Sequence, residues 1–137
     1  MILRNCAGGI VFFGDKVFLL KNEKDEWVFP KGVMRNGDHA AEVAQKRVLE
    51  EGGIIAYILS IAGDTSYEFY SVTRQKPICN KITWFIMSTD SDKYNISEKE
   101  KFQEGGFFDI EEAMNLITYS QDKALLNLSY KKYKELP

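Results

Sequence analysis

At 137 residues the chain is sized for one domain, 1–137, and is long enough to bury a core without disulfide or metal staples. Its composition, 45% hydrophobic, 28% charged and 13% aromatic, excludes the collagenous, disordered and disulfide-scaffold classes. A formal charge of −2 gives no basic footprint for duplex nucleic acid, yet a small anionic ligand stays open because local charge shapes a site.

The first stretch, "CAGGIVFFGDKVFLLKN", reads as a hairpin. Ile10 to Phe13 and Val17 to Leu20 are β-rich, and Gly14-Asp15 is the turn signal between them. Gly8 and Gly9 predict a bulge or a close backbone approach near the front of that strand. "EWVFPKG" is a short apolar segment stopped by Pro30. Residues 39 to 51 have the pattern of a helix, with Asp38 as N-cap and Gly52-Gly53 as the stop. "IIAYILSIAG" and "TSYEFYSV" read as two strands, and "ICNKITWFIMST" as a long one. "DSDKYNISEKEKFQEGG" is a loop or a short turn of helix, and "FFD" is a short strand. "IEEAMNLI" and "SQDKALLNLSYKKYKEL" are amphipathic helices. Strands flanking one early helix, with helices closing the chain, predict an α/β sandwich with a mixed sheet.

Cys6 and Cys79 form no CxxC pair and no zinc spacing, so they read as reduced core thiols of a cytoplasmic protein. No apolar run is long enough to span a membrane, and "MILRNCAGG" lacks the apolar stretch of a signal peptide. No membrane partner is expected, and nothing in the sequence indicates an oligomeric state.

The chemistry concentrates in "KGVMRNGDHAAEVAQKRVLEEGGI", Lys31 to Ile54. On a helix, positions 47, 50 and 51 share a face one turn apart. Three carboxylates there would form an oxygen cage suited to a hard cation such as Mg²⁺. Gly32 and Gly37 in the preceding loop allow the backbone to come close.

This stretch resembles the Nudix box, G-x5-E-x7-R-E-U-x-E-E-x-G-U, with U a bulky aliphatic residue. Gly32, Val48, Glu50, Glu51, Gly53 and Ile54 match, and the spacing is kept throughout. Asp38 stands for the first glutamate, Lys46 for the arginine, and Arg47 for the glutamate that follows it. "WVFPKG" resembles the entry of the diadenosine polyphosphate hydrolase branch, and "FFDIEEAMNLI" the family's closing element. The resemblance implies an α/β/α sandwich of Nudix type, with a central mixed sheet and a loop-helix motif. It implies hydrolysis of a nucleoside diphosphate linked to another group X, with Mg²⁺ or Mn²⁺. The leading substrate is a dinucleoside polyphosphate such as diadenosine tetraphosphate. On this resemblance Glu50 and Glu51 are the catalytic residues, and Gly32, Glu50 and Glu51 the metal ligands.

Arg47 departs from the pattern, because a guanidinium cannot ligate a cation and is always charged. It is positioned to pair with Glu50 and Glu51 and so stand in for the metal. Three readings stay open: an active enzyme with an acid from another loop, a slow or rearranged one, and a non-catalytic nucleotide binder. The loop before the last strand offers Glu98, Glu100 and Glu104, with Lys101 at the spacing where an acid is expected. For each of these glutamates a solvated loop charge is the first reading and reach to a metal the second. Lys31 is a candidate phosphate contact or a solvated lysine at a loop start, and Arg47 joins it as a substrate-binding candidate. Among Tyr67, Phe69 and Tyr70, Tyr70 is the candidate to stack on a nucleobase, with sheet packing the plain alternative. Arg74 and Lys76 read as exposed charge, Trp27 and Trp84 as core anchors, and His39 as surface.

Overall fold

The computed structural model describes all residues, Met1–Pro137. The elements in order are β1 (Ile2–Phe13), β2 (Lys16–Lys21), β3 (Trp27–Val28), β4 (Lys31–Val33), α1 (Ala40–Gly52), β5 (Tyr57–Ser71), β6 (Lys76–Ser88), β7 (Glu104–Asp109), α2 (Ile110–Leu116) and α3 (Ser120–Glu135). One mixed sheet runs β3-β2-β1-β6-β5, with β4 paired to β1 and β7 to β2. β1 and β6 are parallel from Ile2↔Ile78 to Phe12↔Ser88, and the other pairings are antiparallel.

This is an α/β sandwich. The pattern of β1 explains it: burial alternates from Ile2 to Asn5 and then becomes continuous from Cys6 to Phe12. Continuous burial marks a strand covered on both faces. On one face Val11, Phe18, Phe85 and Met87 pack against Ala44 and Val48 of α1. On the other, Ile10, Phe12, Trp84 and Ile86 meet Ala113 of α2 and Leu126 of α3. Trp84 is buried with its indole N–H satisfied, donating to Thr65 Oγ1 at 2.8 Å.

Several expectations shift. The glycine pair in β1 is a close approach and no bulge, for the register with β6 runs unbroken through it. The two strands expected before and after Gly63 are one long strand, β5, which absorbs irregularities at Ile58/Ser60 and Ile61/Gly63. The Ala-Gly pair reads as a break because the sequence does not reveal that β6 continues to pair with both halves. Asp38 does not cap α1; His39 holds that position without a side-chain bond. The Asp38 carboxylate instead accepts the Arg35 N–H at 2.8 Å, closing the loop in front of the helix. "FFD" extends back to Glu104, because β2 offers partners from Lys16 to Lys21. Gly53 ends α1 with φ 65°, the left-handed conformation that favours glycine at a helix end. No helix is long and apolar enough to cross a membrane.

Candidate active site

α1 delivers the site because its buried face runs Ala44, Val48, Glu51, so Glu51 continues an apolar stripe and is only 3% exposed. Arg47 lies one turn back on the same side, and its Nη2 donates to Glu51 Oε2 at 2.5 Å. The same nitrogen donates to Glu100 Oε2 at 3.2 Å, while Nε reaches the Lys31 carbonyl at 3.3 Å. One guanidinium therefore gathers the helix, β4 and the late loop.

Two local devices make this possible. The late loop docks on the end of α1: Asn95 N–H donates to the Gly52 carbonyl and Ser97 N–H to the Glu51 carbonyl. These bonds satisfy carbonyls that a helix end leaves free. A short 3-10 turn, Glu98–Glu100, then carries Glu100 inward, and Lys101 takes a left-handed φ of 59° to leave it. The second device is Gly32. A Cβ there would lie 2.5 Å from Arg47 Cγ and Cδ, so only glycine lets the arginine stem cross β4.

The electrostatics follow from burial. Burial pushes Glu51 up to about 7, with Arg47 and Lys31 pulling the other way. Partial burial opposes the charge on Arg47, but Glu51, Glu100 and Glu50 outweigh it and raise its pKa. The group opens onto a cleft of about 290 Å³ lined by Asn22, Phe29, Lys31, Glu51, Glu100 and Lys101, with Arg47 at its wall.

The expected site residues divide. Lys31, Gly32, Arg47 and Glu51 come together. Glu50 is exposed on the helix, outside the Arg47 hydrogen bonds. Tyr70 is 62% exposed and, by strand alternation, lies on the sheet face opposite Tyr67 and Phe69. Of the three loop glutamates only Glu100 reaches Arg47; Glu98 is exposed, and Glu104 pairs with Lys21 in the sheet.

The donors as folded do not fit a divalent cation. Both inward carboxylates converge on a guanidinium, and no three His, Cys, Asp or Glu side chains are grouped as a metal would need.

A polar network that sequence reasoning missed spreads over the sheet face beside Lys31. Asn80, 3% exposed, donates through Nδ2 to the Tyr67 hydroxyl at 2.7 Å and accepts from Arg4 Nε at 2.9 Å. The Tyr67 and Phe69 rings stack at 5.9 Å, with Lys31 over the first and Arg4 over the second. Nearby, Tyr119 donates to Glu26, which pushes the phenol up to about 12. Burial lifts Asp122 to about 6 against the pull of Lys31. The i,i+2 spacing of Tyr67 and Phe69 was the available signal. Arg4 and Asn80 carried none, because a parallel register joins them across a separation of 76 residues.

The NUDIX domain model matches residues 3–128. The bis(5'-nucleosyl)-tetraphosphatase (asymmetrical) of Mus musculus is 30% identical over 112 residues, covering 80% of this chain and 75% of the mouse protein. Among solved structures, a C. elegans Ap4A hydrolase binary complex is similar at TM-score 0.74 and 18% identity, covering 96% of this chain and 97% of that one. A NUDIX hydrolase from Nitrosomonas europaea gives 0.75 and 18%, covering 100% and 76%. At these identities the structural likeness carries the fold alone.

Proposed function

Since the chain belongs to the Nudix family, we propose that it acts on the pyrophosphate linkage of a nucleoside diphosphate joined to a second group. A dinucleoside polyphosphate such as diadenosine tetraphosphate is the leading candidate, in keeping with the activity named for the mouse relative. The single observation that carries the reading is the Arg47 assembly: a cation held by two carboxylates beside Lys31 at the wall of a cleft. Arg47 and Lys31 offset phosphate charge, the guanidinium with a planar fork and the ammonium as a point charge. Charge developing on phosphate oxygens during hydrolysis is stabilised by such preset donors. Glu51, raised to about 7, is a proton acceptor suited to neutral pH, and Glu100 shares the work of orienting Arg47. Family members commonly work with a divalent ion. Arg47 must leave Glu51 and Glu100 before an ion can reach them here, so no step is assigned to a metal.

A second reading, nucleotide binding without turnover, is favoured by the same 2.5 Å contact, since it holds the innermost carboxylate in an ion pair. The test is an assay of purified protein, with Mg²⁺ and Mn²⁺ supplied, against diadenosine tetraphosphate, ADP-ribose, nucleoside triphosphates and capped RNA. Wild-type turnover of the first that disappears in Glu51→Gln supports hydrolysis. Silence from the wild type, with activity in Arg47→Glu, supports binding alone.

A further inference from the structure

Arg4 is the least explained cation on the molecule. Its Nε is spent on the buried Asn80, and one face of its guanidinium lies over Phe69 at 5.6 Å. No carboxylate pairs with it, and neither terminal nitrogen has a protein partner. Neither is buried without one, so both are open to solvent. Asn80 is itself fixed from the far side by Tyr67. A guanidinium braced at one nitrogen and one face, with its terminal fork free, is preset for two parallel bonds to a phosphoryl group. Arg35 and Arg74, by contrast, are exposed, and neither side chain makes a hydrogen bond or ion pair.

The position adds a direction. Lys31 pairs with Gly8 of β1, and Arg4 lies four residues further along the same strand. Gly8, Cys6 and Arg4 share a sheet face by alternation, and Lys31 and Arg4 both act on the buried Cys6 thiol from its flanks. At strand rise the two backbone positions are about 13 Å apart. Arg47 lies on the opposite, α1 side of β4, and it and Lys31 meet only at the cleft that both line. Lys31 and Arg4 thus mark a path from the cleft across one sheet face, with the Tyr67–Phe69 stack between them.

Resting on the proposed pyrophosphate-linked ligand, we infer that Arg4, braced by Asn80 and Phe69, is a specificity residue that contacts a far phosphoryl group of an extended polyphosphate ligand. Ligands that end near Arg47 and Lys31 do not reach it. The experiment is calorimetric titration of the full chain with diadenosine tetraphosphate as the long probe and ADP as the short one, for wild type, Arg4→Gln and Arg4→Lys. Thermal melting verifies that each variant is folded. Arg4→Gln is expected to weaken the long probe about tenfold and leave the short one unchanged, the size of a lost charge-assisted bond. Arg4→Lys keeps the charge and loses the fork, and is expected to recover only part of the affinity. Equal effects on both probes, or none on either, overturn the inference while the proposed ligand class stands. A wild type that binds neither probe overturns that ligand class and this inference together.

Discussion

Two cationic regions lie on this molecule, and they are built in opposite ways. At the end of α1, Arg47 is surrounded by acids: Glu51 and Glu100 hold it directly, and Glu50 adds to the local field. On the sheet face, Arg4 has a neutral amide and an aromatic ring for company, with no acid paired to it. The first region is satisfied by its own side chains. The second has been oriented at the expense of a buried asparagine and left with free donors. A ligand therefore has to compete for the first region and only to arrive at the second. At Arg47 a phosphate displaces or shares carboxylate partners, whereas at Arg4 it meets an unpaired fork.

Removing the guanidinium from the acidic site should have the largest effect. Arg47→Met leaves the Glu51 carboxylate buried without its partner, which should cost roughly 3 kcal/mol at pH 8. The pH sign is fixed by Glu51. Its folded pKa, about 7, lies above the ordinary 4.5, so the folded state holds the proton more tightly. This contribution to stability is fully present below about 4.5 and is lost as pH rises through about 7. Without Arg47 the loss should extend to higher pH, while near pH 5 the variant should approach the wild type. Urea unfolding midpoints at the two pH values measure this, and an equal penalty at both would contradict the assignment.

Gly32→Ala attacks the same region sterically. The added Cβ collides with the Arg47 stem, so the guanidinium must leave Glu51 or β4 must shift, at roughly 1–3 kcal/mol. Weakened binding of a short nucleotide alongside the lower midpoint would tie the loss to Arg47. An unchanged midpoint would mean the stem does not need that gap.

Asn80→Leu tests the other region. It removes the brace on Arg4 and leaves the Tyr67 hydroxyl without its donor, at roughly 1–2 kcal/mol. Its diagnostic consequence is selective: long polyphosphate ligands should weaken while ADP holds. Tyr119→Phe is the smallest change, since its bond to Glu26 is largely exposed. No more than about 0.5 kcal/mol should be lost, measurable as a slight fall in melting temperature.

The contrast also marks what the sequence made legible. Helix spacing was enough to join Arg47 and Glu51, because helix periodicity is a local fact, and the resemblance to the Nudix box added Gly32. The hairpin, the α1 stop at Gly53 and the closing helices were local in the same sense. Glu100 could be named only as one of three acids, because its inward turn depends on loop bonds to the end of α1. Glu50 and Glu51 looked equivalent as neighbours, but their 100° separation sends one into the core and the other to solvent. Tyr70 was the stacking candidate, and only the register of β5 on β6 shows that it lies on the face opposite Tyr67 and Phe69. Arg4 and Asn80 were silent, since parallel pairing of β1 with β6 leaves no short-range mark.

The claim on which the rest turns is that Arg47 stands in a cation's place. Titration of Mn²⁺, followed by electron paramagnetic resonance, into wild type and Arg47→Glu tests it without reference to any substrate. A folded Arg47→Glu, with Glu51 and Glu100 released and a third carboxylate added, should bind Mn²⁺ at least about tenfold more tightly than the wild type. Equal affinity in the two proteins would contradict the account.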